Sequence, residues 1–427
     1  MRILIIAQYF PPEISATGRR AQELAGSLAR RAHDVTVLTG RPNHPATAAR
    51  YFCRDAASSE RTSGGYRVLR LPVFRSPDPR AWHRVLNYFT FVLLAIVRGM
   101  FFDRPHAILA VSPLPAGLVA LALRAWHGAP LIYDLQDIWP DSARAVGVMT
   151  RGPAMLLLGG LEKLLYRCSA RLVVISEGFR DYLANRGVPR DRLRLIPNGV
   201  DDELLRDAEP EHRLRRTQPL QRRFIVGYVG NHGLAQGLDT MLDAADRLRG
   251  DAVAFLLVGE GVEKPRLERK ALEAKLDNVR FLHGVPRRRV PGLLAACDAG
   301  LVILRDDPLF RITIPSKLYE YMAAGKPVLC SVGGETAGLV EAARCGIAVP
   351  PADGAALADA VRALARDPAA CAGMGESGAV WVRKHFRTAA MMAAYAEAIE
   401  SAAPRTSDVH QPGKSGLSKA SEWRKRC

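Results

Sequence analysis

The residues best suited to chemistry lie in the run Ile314-Pro315-Ser316-Lys317-Leu318-Tyr319-Glu320. Pro315 and Ser316 read as a helix start, Gly325 as its end and Pro327 as the entry to a strand. Lys317 and Glu320, three apart, then share one helix face near the N-terminus. An ammonium there can hold a diphosphate, and a carboxylate can chelate ribose hydroxyls. A plain surface ion pair between the two is the competing reading.

Two glycine turns suggest a partner for that helix. Gly227-Tyr228-Val229-Gly230-Asn231-His232-Gly233, followed by Gln236-Gly237, closes one apolar run, and Val258-Gly259-Glu260-Gly261 with Lys264 closes another. Glycines at a strand-to-helix turn let an anion approach backbone N–H groups. Together the turns are expected to form a phosphate cradle. Earlier, Tyr133 to Asp141 holds three carboxylates and Trp139 in nine residues. Carboxylates there can hydrogen-bond sugar hydroxyls or act as a base; helix capping is the alternative. Gly18 and Arg19 open the first helix and could offer an amide and a guanidinium to a phosphate. Ser176 is expected to cap a helix over 177–185, and Asn198-Gly199 to form a turn with positive φ.

These side chains need strands to carry them. Apolar runs at 3–7, 35–38, 107–111, 131–134 and 172–175 read as strands, with a helix over 17–32. The pattern restarts at 224–229, 254–258, 279–282, 300–304 and 327–330. Such alternation predicts an α/β protein of two doubly wound parallel-sheet domains, whose ligands sit beyond the carboxyl ends of the strands. The expected divisions are an N-terminal domain over 1–204, a polar linker over 205–222 and a second domain over 223–382. A helix over 383–402 is expected to return to the first domain, and a disordered basic tail to fill 403–427.

The chain has 427 residues and a formal charge of +17, from 60 Lys and Arg against 43 Asp and Glu. This favours anionic partners: nucleic acid, anionic lipid or a phosphorylated substrate. Seven cysteines without a C-x-x-C pair predict reduced core thiols rather than disulfides or a zinc site. The short run at 3–7 reads as a buried strand, not a signal peptide. Tyr88 to Phe102 is too short and too interrupted to span a bilayer. It reads either as a buried helix or as an interfacial one, with Phe91 and Leu94 as inserting side chains.

The combination resembles retaining glycosyltransferases of family 4, which have the two-Rossmann-domain GT-B fold. The likeness runs from Met1 to about Ala402. It rests on Tyr9-Phe10-Pro11-Pro12, Arg41-Pro42-Asn43-His44-Pro45, Asn198-Gly199-Val200-Asp201, and Pro315-Ser316-Lys317 with Glu320 and Gly325. Asp137-Ile138-Trp139-Pro140 and the turn at 230–233 resemble the branch with O-antigen, colanic-acid and fucosaminyl transferases. The resemblance implies transfer of a sugar from a nucleotide diphosphate sugar across a cleft between facing domains, without metal or other cofactor. Gly230, Asn231, His232, Gly233, Gln236, Gly259, Lys264, Ser316, Lys317 and Glu320 would bind the donor. Asp137, Gln136 and Glu320 would serve catalysis, and Gly18, Arg19, Asn43 and His44 the acceptor. It also implies a saccharide acceptor on a polyprenyl diphosphate, and a cytoplasmic enzyme peripheral on the inner face of the plasma membrane. The chain departs from the family at Ile312, where many members have a glutamate, at Gln136, where many have histidine, and at His232 and Gln236, where many have arginine and lysine. Two rivals remain. A nucleotide-sugar 2-epimerase of the same fold would release NDP without an acceptor, and a nucleic-acid-binding protein would ignore nucleotide sugars.

Overall fold

The computed structural model describes residues 1–13, 15–42, 59–62, 64–76, 81–148, 152–200, 212–215, 220–221 and 223–402. Asn43 and His44, most of the linker and the tail from 403 lie outside the described residues. The chain forms two compact units. One holds residues 1–175, 180–196 and those from 392 on; the other holds 176–179 and 197–391.

The first unit contains an eight-stranded sheet. Its strands are β1 (Arg2–Ala7), β2 (Asp34–Gly40), β3 (Ser59–Arg61), β4 (Arg67–Leu71), β5 (Ala107–Val111), β6 (Leu131–Leu135), β7 (Arg171–Val174) and β8 (Leu193–Leu195). The order is β3-β4-β2-β1-β5-β6-β7-β8, and only β3 runs antiparallel to its neighbour. All five residues of β5 and of β6 are buried. Helices cover both faces of such a sheet, so its central strands are apolar throughout rather than alternating. The strands at 67–71 and 193–195 escape the hydrophobic pattern because arginines interrupt them.

The second unit has a six-stranded parallel sheet. Its strands are β9 (Phe224–Val229), β10 (Val253–Val258), β11 (Val279–Leu282), β12 (Ala299–Ile303), β13 (Val328–Ser331) and β14 (Gly346–Ala348), ordered β11-β10-β9-β12-β13-β14. The order reverses between β9 and β12, and in such sheets the crevice at the reversal takes the ligand. β14, three half-buried residues with one glycine, carries too little pattern to be read from sequence.

Three sequence expectations need correction. The helix Ala16–Arg30 is capped by Ser15, whose Oγ accepts the Gly18 N–H at 2.8 Å. The Gly18 amide is therefore committed to the cap rather than offered to a phosphate. Gly199 has no positive φ; a Cβ there would lie 2.6 Å from Thr388 Cα, so close packing requires the glycine. The helix Ala81–Met100 is neither wholly core nor wholly interfacial. Phe91 and Ala95 are buried and Leu94 is half-buried, while Trp82, Val85, Phe89, Leu93 and Val97 are exposed. The described cysteines 168, 297, 330, 345 and 371 are all buried, and Cys53 and Cys427 lie outside the described residues.

An ion pair is buried in the core of the first unit. Arg20 Nε donates to Asp134 Oδ2 at 2.9 Å, with both side chains almost inaccessible. The same guanidinium donates to the Ile196 carbonyl at 2.8 Å and lies over the ring of Tyr395 on the helix Thr388–Ala402. Arg20 is four residues from Leu24 and eight from Leu28, which face the core with it. Removing one partner of such a pair strands the other charge, costing about 3–5 kcal/mol, whereas replacing both by apolar residues is often nearly neutral. Arg20→Met should therefore lower the urea midpoint sharply, and Arg20→Met with Asp134→Leu should recover much of the loss. Equal losses in the single and double variants would show that the pair is not the source.

Candidate active site

In the second unit the side chains of interest gather beyond the carboxyl ends of the strands. The turn after β9 begins at Gly230 (φ +148°) and the turn after β10 at Gly259 (φ +156°), backbone that favours glycine. A Cβ at 259 would overlap the carbonyl oxygen of Gly230, and one at 261 the backbone of His232. The turns thus pack back to back. His232 N–H donates to the Glu260 carbonyl at 2.8 Å, and Glu263 N–H to the His232 carbonyl at 3.0 Å.

This locking consumes several groups that the sequence offered to an anion. Gly230 N–H donates to the Val258 carbonyl at 2.9 Å, and Gly233 N–H to Gln236 Oε1 at 3.0 Å. Gln236 therefore supports the turn. The amine of Lys264 is buried and donates to the carbonyls of Gly259 at 3.0 Å and Leu282 at 2.9 Å, with Glu260 at 3.4 Å. It ties β10 to β11 and is not placed as a phosphate ligand. Asn231 contributes its carbonyl, which accepts the Tyr228 hydroxyl at 2.6 Å.

Lys317 is placed differently. The helix Ser316–Ala323 starts with Ser316, and Lys317 Nζ lies 3.7 Å from the centroid of the Tyr228 ring. A Cβ at 230 would lie 3.3 Å from that nitrogen. Burial pushes the amine down to about 7, against the pull of Glu320. Glu320 pairs elsewhere than with Lys317, against the competing reading of a plain ion pair between the two: its Oε1 accepts Arg287 Nη1 at 2.9 Å. The His232 side chain is wholly buried, and neither ring nitrogen has a hydrogen-bond partner. Burial, then the charges of Lys264 and Lys317, push it down to about 4, so the imidazole is neutral near pH 7.

Three further residues of this unit escaped the sequence reading. Arg305 is exposed just past β12, at the order reversal, with its side chain against Gly237. Arg287 belongs to the triple-arginine run, noticed only as bulk charge. The Glu335 carboxylate accepts the N–H groups of Glu177 and Gly178, and a Cβ at 178 would meet both Glu335 and Ile312. A carboxylate thus stands beside Ile312. Glu335 directly follows Gly333-Gly334, the signal that could have marked it. Ser176 caps as expected, accepting the Phe179 N–H at 3.1 Å while donating to the Ile312 carbonyl at 2.6 Å.

In the first unit the loop after β6 separates its three carboxylates. Asp134 is spent on Arg20, and Asp141 accepts the Tyr182 hydroxyl at 2.5 Å and Arg186 at 2.8 Å. Asp137 alone of the three is exposed. The surrounding protein raises its carboxyl above the usual range, while donors on Ser142, Ile138 and Trp139 oppose the shift. Gln136 is oriented rather than loose: its Nε2 donates to Asp134 Oδ1 at 2.8 Å, and its N–H to Ser112 Oγ at 3.1 Å. Arg19 pairs with Glu23 at 3.4 Å. The first unit therefore presents Asp137 and Gln136 on a braced loop.

Comparison with known proteins identifies the family and the fold. Residues 15–199 match the glycosyl transferase 4-like domain, and residues 223–367 match glycosyl transferases group 1. The Escherichia coli (strain K12) protein WcaI, named as a glycosyl transferase of colanic acid biosynthesis, is 27% identical over 341 residues, 76% of this chain and 82% of its own. Among solved structures, sucrose-phosphate synthase from Thermosynechococcus elongatus matches with a TM-score of 0.77 at 21% identity, over 94% of this chain and 98% of that one. Anabaena HepE in complex with UDP matches with a TM-score of 0.70 at 19% identity, over 94% and 100%. At those identities the structures show the fold, which is GT-B. The chain is a glycosyltransferase, built from a glycosyl transferase 4-like domain and a glycosyl transferases group 1 domain.

Proposed function

We propose that this glycosyltransferase moves a sugar, with retention, from a nucleoside diphosphate sugar to a saccharide acceptor in the assembly of a surface polysaccharide such as O-antigen, capsule or exopolysaccharide. The observation that carries the donor reading is Lys317, a crowded amine at a helix start beside Gly230 and Tyr228. The colanic acid name of WcaI supports the polysaccharide role, and the UDP complex of HepE supports a nucleotide donor.

In this reading the sugar C1–O bond to the diphosphate breaks and the acceptor oxygen bonds to C1. The acceptor proton passes to the departing diphosphate oxygen. Lys317, Arg305 and the N-terminus of the helix Ser316–Ala323 meet the growing negative charge, so no metal is needed. Glu320, held by Arg287, chelates the ribose. The neutral His232 imidazole offers one N–H to a donor oxygen. Asp137 and Gln136 serve the transferred sugar, and Glu335 supplies a carboxylate beside Ile312. The acceptor is carried on a polyprenyl diphosphate, which brings the enzyme to the cytoplasmic face of the plasma membrane.

Lys317 yields a signed pH prediction. Its amine titrates near 7 in the folded protein and at about 10.4 in an unfolded chain. A bound diphosphate favours the ammonium, so UDP binding should take up a proton and weaken as pH rises above about 7. Calorimetry in buffers of different ionisation enthalpy reads that uptake; none at about pH 8 would remove Lys317 from the diphosphate. The same shift destabilises the fold below about pH 7, a penalty relieved as pH rises towards about 10. Lys317→Met should consequently melt higher than the parent near neutral pH while losing UDP binding.

Glu320→Gln should weaken UDP binding about tenfold or more and nearly abolish transfer, with the fold retained. Full activity in the folded variant would end the ribose assignment. Glu335→Gln should leave UDP affinity within about twofold yet reduce turnover, because a sugar contact acts after the nucleotide is bound. Transfer should continue in excess EDTA; loss of activity restored by Mg²⁺ would refute the metal-free account. NDP release that needs no acceptor would point to isomerisation instead.

A further inference from the structure

One surface of the first unit has no role in that chemistry. Along the helix Ala81–Met100 and just past its end, Trp82, Val85, Phe89, Leu93, Val97 and Phe101 recur every three or four residues and are all exposed, Phe89 by 63% and Phe101 by 79%. Such spacing puts them in one stripe about 28 Å long at 1.5 Å per residue. The opposite face is pinned. Asn87 accepts Gln8 Nε2 at 3.0 Å and donates to the Phe74 carbonyl at 2.7 Å, while Phe91, Ala95 and Gly99 are buried. The helix therefore cannot rotate to hide the stripe. Soluble proteins rarely leave so continuous an apolar surface open to water.

What covers it is indicated by what surrounds it. Trp82 stands at one end, and Trp126 donates its indole N–H to the Met100 carbonyl at 3.2 Å at the other, with its ring 61% exposed. Tryptophan, half apolar and half hydrogen-bonding, suits the boundary between lipid tails and headgroups. The helix packs on Leu114–His127, which packs in turn on Pro153–Cys168. These three helices carry Arg84, Arg98, Arg124, Lys163 and Arg167, and their single acid, Glu162, is buried. A second copy docking through the same face would set these cations against themselves. A surface of negative headgroups would meet them with opposite charge.

We propose that the exposed face of the helix Ala81–Met100, bounded by Trp82 and Trp126, lies flat on an anionic lipid bilayer. Val85, Phe89, Leu93 and Val97 enter the headgroup boundary, and Arg84 and Arg98 reach lipid phosphates. The attachment is peripheral: no described helix is long and apolar enough to cross a membrane. The inference stands apart from the nucleotide reading, since it uses none of those residues.

The test uses the full chain and vesicles of phosphatidylcholine with or without phosphatidylglycerol, in low and high salt. The parent protein should sediment with the anionic vesicles at low salt and be largely released at high salt. V85E/F89E/L93E alters only exposed positions, so it should keep the parent's melting temperature and UDP affinity while vesicle binding falls about tenfold or more. R84E/R98E should lose the preference for anionic over neutral vesicles. Brominated lipids should quench the tryptophan emission of the unmutated chain, and less so in W82F, a check that survives any folding defect of the glutamate variants. Failure of the parent to bind anionic vesicles overturns the proposal, as does unchanged binding by the triple variant. A parent dimer that the triple variant dissociates, with no vesicle binding by either, would make the face a self-contact and also overturn it. Loss of UDP binding with vesicle binding intact would strike the donor reading alone.

Discussion

The carbonyl oxygen of Gly230 occupies the space that any side chain at position 259 would need. Much of the second unit's chemistry follows from that contact. Because the turns after β9 and β10 are pressed together, their amides bond to each other and Lys264 is drawn between strands as a brace. The next helix in reach instead sets its lysine on an aromatic ring, where it is poorly hydrated. Poor solvation destabilises the fold at neutral pH, but it leaves a cation that gains strongly from an arriving anion.

The first unit uses charge in a different way. A deeply buried ion pair joins Arg20 and Asp134, and the second oxygen of that carboxylate orients Gln136. The neighbouring carboxylates divide the remaining work, with Asp141 bonded to Tyr182 and Arg186 and Asp137 left accessible. Three aspartates within eight residues thus have three environments, and only the environment distinguishes a support from a reagent.

The strands that sequence revealed most clearly are those whose burial on both faces demands unbroken apolar runs, such as 107–111 and 224–229. Those it hid, at 59–61, 67–71, 193–195 and 346–348, are interrupted by arginine or glycine or are only three residues long. Residue types near the site were legible, but their assignments shifted by small geometric steps. Arg19 drew attention because it follows a glycine, while Arg20, one position on, turns inward with Leu24. Lys264 looked like a phosphate ligand because motifs do not show which amines are already satisfied. Glu335 was hidden because its neighbour in space, Ile312, is 23 residues away in sequence.

The helix Thr388–Ala402 has a consequence for how the protein comes into being. Tyr395 completes the surroundings of Arg20, and Glu400 bonds Arg31 at 2.8 Å and His33 at 2.9 Å, so the last described helix belongs to the unit that contains the first strand. A chain emerging from the ribosome exposes its amino end first. By the time residue 391 has appeared, every segment of the second unit is in hand, while the first unit still lacks its closing helix. The unit that contains the first strand is therefore completed after the second, and a nascent chain must keep it from aggregating until the helix Thr388–Ala402 has been translated.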